Sequence, residues 1–166
     1  MCNGLRIAVI PGSFDPITKG HLSIVERALK AYDKVYLAVM INPVKQYLFT
    51  MEQRTAIAVE ALRPYDRVEV ISSDGMLWQL AKELGACAIV KGYRNQTDYD
   101  YEMKMAEFNL QHNPDAPTVL YRSEETLCEV SSTRARENLL AGNLCDICLP
   151  ESVLPLIERF MTESKS

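Results

Sequence analysis

The 166-residue sequence contains no apolar run near the roughly 20 residues that cross a bilayer as a helix. Met1-Cys2-Asn3-Gly4 has no apolar stretch behind it, so a secretory leader or a lipoprotein signal is not supported and a cytoplasmic location is expected. Positive charge is not in excess either: 18 Lys and Arg against 22 Asp and Glu give a formal net charge of −4. General binders of nucleic acid or of acidic membrane surfaces carry the opposite balance, so neither partner is expected. Any anion site has to be local, built from a few placed cations.

Paired metal ligands are missing as well. Of the five cysteines, Cys2, Cys87 and Cys128 stand alone, and Cys145-Asp146-Ile147-Cys148 is a lone C-x-x-C. Zinc would need a second pair or a pair of histidines at suitable spacing. A redox C-x-x-C belongs at a helix start after the first strand rather than near the chain end. The cysteines therefore read as reduced and incidental, and no protein-held metal site is expected. Two glycine fingerprints are absent too: G-x-G-x-x-G for dinucleotides and G-x-x-x-x-G-K-[ST] for a P-loop.

What is present is an alternation. Hydrophobic content of 48% and charged content of 24% suit one globular domain over residues 1–166. Apolar runs at 5–10, 34–41, 67–71, 88–91 and 118–121 read as strands. Between them lie segments of helical spacing: 21–29, one opening at Thr50 with a Thr50/Gln53 capping box, 76–84, and a long one opening at Thr97. The Thr97 helix pairs Thr97 with Asp100 as its capping box and carries Tyr99, Met103, Ala106 and Leu110 as its apolar stripe. Ser131 or Ser132 caps a further helix ending near Ala141 before Gly142. A last helix carries Val153, Leu156, Ile157 and Phe160, with Pro155 in its first turn. Strands alternating with helices predict an α/β fold, a Rossmann-like domain with a five-stranded parallel sheet covered on both faces. Ligands of such sheets sit beyond the carboxyl ends of the strands.

The segment Pro11-Gly12-Ser13-Phe14-Asp15-Pro16-Ile17-Thr18-Lys19-Gly20-His21 occupies that position after the first strand. A hydroxyl-bearing loop opening a helix with Gly-His suits a phosphate, because free backbone N–H groups and the positive end of the helix dipole converge there. His21 adds a donor, although a histidine at that place can also serve as a helix cap.

Thr18-x-Gly20-His21 resembles the T/H-x-G-H signature of the nucleotidyltransferase superfamily. The longer block from Pro11 to His21 is similar to that of the bacterial phosphopantetheine adenylyltransferases. Further blocks match in order: Asn42-Pro43-Val44-Lys45 with Phe49-Thr50, Lys91-Gly92-Tyr93-Arg94, Asp98 to Met103, Val130-Ser131-Ser132-Thr133, and the terminal Leu149-Pro150-Glu151. The resemblance implies adenylyl transfer from ATP to 4′-phosphopantetheine, giving dephospho-coenzyme A and pyrophosphate. It also implies Mg²⁺ carried with ATP, coenzyme A as an inhibitor, and a homohexamer.

Site residues follow from the same resemblance. His21 would be the catalytic donor to the α-phosphate. Ser13, Lys45, Leu77 and Lys91 would bind the acceptor, with Lys45 and Lys91 on its phosphate and Leu77 against the pantetheine arm. Ser13, Phe14, His21, Gly92, Tyr93, Arg94 and Glu102 would contact ATP, together with Leu127, Cys128, Glu129, Val130, Ser131, Ser132 and Thr133 at the next helix start. Of Arg134 and Arg136, one could face phosphate. The sequence departs from the family pattern at Ser13 (usually Thr), Lys91 (usually Arg) and Tyr93 (usually Leu). Lysine keeps the charge but loses the planar fork of arginine. Another small nucleotidyltransferase, of the cytidylyltransferase or nicotinamide mononucleotide adenylyltransferase type, and a weakly catalytic nucleotide- or coenzyme-A-binding regulator are the rival readings.

Overall fold

In the computed structural model, which describes residues 4–123, 131–143 and 148–163, the apolar runs become five parallel strands of one sheet. They are β1 (Ile7–Gly12), β2 (Lys34–Met40), β3 (Val68–Ser73), β4 (Ala88–Tyr93) and β5 (Thr118–Arg122). The helices are α1 (Lys19–Ala31), α2 (Met51–Leu62), α3 (Leu77–Glu83), α4 (Gln96–His112), α5 (Ser132–Leu140) and α6 (Leu154–Glu163), the last preceded by a short 3₁₀ turn at Glu151–Val153.

Side chains of successive strand residues point to opposite faces, so each central strand feeds two cores. Ala8 and Ile10 join Val25 and Ala28 of α1, Ile57 of α2, Leu139 of α5 and Ile157 of α6 on one face. Val9, Ala38 and Ile89 join Ala81 of α3 and Ala116 on the other. Burial on both faces is why these strands read as unbroken apolar runs rather than alternating ones.

Strand order is β3-β2-β1-β4-β5, so the chain builds outward from β1 on one side and then returns to continue on the other. The switch point lies between β1 and β4. There the register is short: Ala8 faces Ala88 and Val9 faces Ile89, and no later pair forms. On its other side β1 stays paired with β2 as far as Gly12 opposite Val39. The sheet therefore opens between β1 and β4 toward their carboxyl ends, which is where a crevice for a ligand is expected.

Two boundaries differ from the sequence reading in a way that matters. β3 runs on through Ser73 and β4 through Tyr93, so Ser72, Ser73, Gly92 and Tyr93 are strand residues rather than rim loop. Serine and glycine are weak strand formers, but the ladders of β2 with β3 and of β4 with β5 hold them in place. α4 starts at Gln96, and its cap is Asn95, whose side chain accepts from Asp98 N–H; Thr97 is already helical. The predicted stripe on α4 is also corrected. Met103 and Leu110 are each 45% exposed, and the side turned to the protein follows Glu102, Ala106 and Asn109. Of the predicted stripe Ala106 does face the protein, but its partners on that line, Glu102 and Asn109, are polar and carry no apolar signal.

The other caps agree with the reading. Thr50 and Gln53 form their capping box, Ser131 caps α5, and Gly142 follows it at φ +83°.

Candidate active site

The loop after β1 is held from three sides by groups that point inward. Asp15, buried, accepts the backbone N–H of Leu48 (2.9 Å) and of Phe49 (3.0 Å), tying the β1 loop to the loop after β2. Arg54 of α2, also buried, donates through Nη1 to the carbonyls of Ser13 (2.7 Å) and Met40 (3.1 Å), so it clasps the ends of both strands. Arg136 of α5 donates to the Asp15 carbonyl (2.9 Å), and Ser132 to the Pro16 carbonyl (2.8 Å), bringing the start of α5 against the same loop. These contacts span 14 to 121 residues of sequence, so the whole fold is required to shape this one turn.

The turn is sharp. Phe14 adopts φ +49°, a left-handed conformation that costs a bulky residue of the order of 1 kcal/mol or more. Its ring folds back beneath the strand end, where a Cβ on Gly12 would lie 2.9 Å from it. Only glycine fits that approach. Phe14 is 3% exposed and meets His21 edge-on at 4.8 Å between ring centroids. The buried Phe14 side chain thus supports the His21 ring.

His21 is the third residue of α1, and Thr18 is the N-cap. The two make a capping box in which histidine takes the part usually given to glutamate or glutamine. Thr18 N–H donates to His21 Nδ1 (3.0 Å), and His21 N–H donates to Thr18 Oγ1 (3.4 Å). Because a backbone N–H only donates, Nδ1 is the acceptor nitrogen and the neutral ring carries its proton on Nε2. Burial, and then the charge of Arg94, push the imidazole down to about 4. At neutral pH His21 is therefore an uncharged N–H donor whose other nitrogen is locked by the helix cap. Capping and donating are not rival roles here, since each uses a different ring nitrogen.

Across the crevice β4 and α4 bring the cations. Arg94, just past β4, pairs with Asp98 at 3.3 Å and lies close enough to depress His21. Lys91 Nζ stands 2.6 Å from Glu102 Oε2, in a largely buried ion pair. Glu102 is thereby engaged with Lys91 in one ion pair. The Tyr93 ring packs edge-on against Tyr99 at 5.0 Å. A Cβ on Gly92 would come within 3.1 Å of Ile24, so glycine lets α1 approach β4.

The remaining predicted residues are placed less evenly. Lys45 is exposed in the loop after β2. Leu77 is turned inward against the apolar cluster of Val9, Ala38 and Ile89, whereas its neighbour Met76 is 49% exposed at the start of α3. Leu77 is only partly buried, and Met76 is a second apolar side chain at the start of α3. Ser131 caps α5 through Arg134 N–H, and Thr133 Oγ1 accepts from Arg136 (3.1 Å). Leu127, Cys128, Glu129 and Val130 lie outside the described residues. Sequence reasoning missed Asp15, Tyr47 and Arg54 as site-building residues. A charged residue in a loop or on a helix carries no local sign that it will be buried.

Comparison with known proteins fits this geometry. The cytidylyltransferase-like family model matches residues 9–138. A phosphopantetheine adenylyltransferase of Clostridium botulinum (strain Hall) is 35% identical over 161 residues, covering 97% of this chain and 98% of its own length. The enzyme of that name from Caldanaerobacter subterraneus subsp. tengcongensis is 36% identical over 162 residues, covering 97% and 99%. At this identity over nearly the whole length of each chain, and with the family model matching residues 9–138, the chain belongs to the phosphopantetheine adenylyltransferase family of cytidylyltransferase-like nucleotidyltransferases.

Proposed function

We propose that this chain transfers the adenylyl group of MgATP to 4′-phosphopantetheine, releasing pyrophosphate and forming dephospho-coenzyme A. The observation that carries the reading is His21. A neutral Nε2–H donor, fixed by Thr18 and floored by Phe14, stands at the mouth of α1 where the sheet opens. In the reaction an oxygen of the acceptor phosphate forms a bond to the α-phosphorus, and the bond from that phosphorus to the bridging oxygen of pyrophosphate breaks. Charge grows on the α-phosphate oxygens and on the leaving group, so the protein's work is positioning and charge stabilisation. His21 donates to the α-phosphate, Arg94 and the start of α5 face the polyphosphate, and Lys45 and Lys91 hold the acceptor phosphate. Ser13 lies between the two substrates.

Mg²⁺ belongs to the nucleotide substrate in this scheme. The carboxylate of the loop, Asp15, has both oxygens occupied by backbone N–H groups, and Glu102 is paired with Lys91. Neither is placed to offer a metal a dedicated cage, so the ion enters on the phosphates of ATP and neutralises the departing pyrophosphate.

A cytoplasmic homohexamer inhibited by coenzyme A completes the proposal. Supporting assembly, α4 exposes Tyr101, Met103, Met105, Phe108 and Leu110, each at least 38% accessible. Light scattering behind a sizing column tests the hexamer. Pyrophosphate release from MgATP tests the activity: it should require 4′-phosphopantetheine and fall when coenzyme A is added. Release with nicotinamide mononucleotide or a cytidylyl acceptor instead would overturn the substrate assignment.

A further inference from the structure

One polar group at the crevice has no place in the scheme above. The loop after β2 folds Tyr47 back so that its ring lies over the Arg54 guanidinium, 3.9 Å from ring centroid to carbon. Its hydroxyl oxygen accepts the Asn42 N–H at 2.6 Å and sits 3.2 Å from Ser13 Oγ. Arg54 is 2% exposed, pairs with no carboxylate among the described residues, and leaves Nε without a hydrogen-bond partner. A buried guanidinium without a counter-ion is costly, and an aromatic face is one of the few partners that soften it.

Hydrogen-bond directions then follow from donor counting. The phenol has one proton and accepts from Asn42 N–H, so that proton goes to Ser13 Oγ at 3.2 Å or to the Asn42 carbonyl at 3.4 Å. The shorter contact is Ser13, and the positive charge under the ring makes the phenol a better donor. Once Ser13 Oγ accepts from Tyr47, its own hydrogen must point elsewhere. A serine hydroxyl otherwise rotates among three wells, and phosphate oxygens accept but do not donate.

We propose that Tyr47, stacked on Arg54, is a positioning residue that turns the Ser13 hydroxyl into a donor toward a phosphate oxygen in the crevice. The proposal rests on the adenylyl-transfer reading for the identity of that phosphate, not for the arrangement of the three side chains. Tyr47→Phe keeps the ring over Arg54 and removes only the orienting bond. It should lower kcat/KM about fivefold, the scale of one neutral hydrogen bond.

The discriminating measurement is a double-mutant cycle with Ser13→Ala, and with Ser13→Thr as the rescue. If Tyr47 acts through Ser13, Tyr47→Phe has no further effect in the Ser13→Ala protein. In the Ser13→Thr protein, which keeps an Oγ for Tyr47 to orient, the wild-type loss should persist. An equal loss in all three backgrounds, or no loss in the wild type, overturns the proposal. Wild-type enzyme that releases no pyrophosphate with phosphopantetheine refutes the functional reading instead. In that event the same cycle is read on MgATP affinity, where coupling through Ser13 still supports Tyr47 and its absence still overturns it.

Discussion

The two walls of the crevice are built on different principles. On the β1–β2 side, Asp15, Arg54 and His21 are bonded to backbone groups, with Asp15 1% and Arg54 2% exposed. On the β4–β5 side, Lys91 and Arg94 are held by single carboxylates on α4, in pairs that are partly open to solvent. Backbone partners cannot leave; carboxylates can be exchanged for phosphate. One wall therefore fixes geometry before substrate arrives, while the other keeps cations parked until an anion competes for them. Preorganised donors serve a transition state best, and exchangeable ion pairs serve binding.

If that division holds, the largest effect belongs to His21. His21→Ala removes the fixed donor and should lower kcat by 10²- to 10³-fold, with little change in KM for either substrate. Stopped pyrophosphate-release assays decide it, and near-normal turnover sinks the role. The same residue has a pH signature. Its folded value near 4 lies below the 6.5 of an unfolded imidazole. The unfolded chain therefore binds the extra proton between those values, so stability rises with pH from about 4 to 6.5 through this group and is flat above. Denaturation midpoints across that range should show a shallower slope in His21→Ala than in wild type.

Next comes the clasp. Arg54→Met fills much of the same volume but leaves the Ser13 and Met40 carbonyls without their donor. A loss of about 2 kcal/mol follows, or a fall in Tm of roughly 4–8 °C for a chain of this size. Because the clasp also shapes the Ser13 turn, kcat should fall even at temperatures where the variant is fully folded. A stability loss with unchanged kcat would mean that this wall does not transmit its rigidity to the reaction.

The same contrast explains how much could be read from the sequence. The strand runs, the order of strands and helices, and the Thr18-x-Gly20-His21 opening were legible because each is a local pattern: an apolar run, a period, a cap. The resemblance of the rim segments added the cations. What it did not reach were the residues whose meaning depends on distant partners. Arg54 sits on α2 with nothing beside it to announce burial, and its acceptors are 41 and 14 residues away. Leu77 and Met76 are adjacent apolar residues, and only the tertiary structure says which one turns inward. The stripe on α4 misled for a related reason. Its protein-facing line includes the polar Glu102 and Asn109, while its large apolar residues Met103, Met105, Phe108 and Leu110 face outward.

On the exchangeable wall the effects should be smaller and fall on binding. Lys91→Met should raise KM for phosphopantetheine about tenfold with kcat near normal, as expected for loss of one charge-assisted contact. Lys91→Arg should preserve or tighten binding, since the fork can reach phosphate bidentately. Loss of affinity in the arginine variant would remove this position from the acceptor phosphate site. Added salt should weaken phosphopantetheine binding in wild type more than in Lys91→Met, because the charge being screened is the one removed.

The smallest effect is the most informative, because two roles for Glu102 predict opposite signs. If Glu102 parks Lys91, Glu102→Gln releases the ammonium from its carboxylate, and phosphopantetheine no longer has to displace one. Its KM should then drop two- to threefold, with KM for ATP unchanged. If Glu102 instead contacts the nucleotide, as the family resemblance implies, the same substitution raises KM for ATP and leaves the acceptor alone. The geometry favours the first outcome: Glu102 Oε2 lies 2.6 Å from Lys91 Nζ. Steady-state kinetics with each substrate varied in turn separates the two, and a rise in KM for ATP alone would show that this wall, too, is committed before the acceptor arrives.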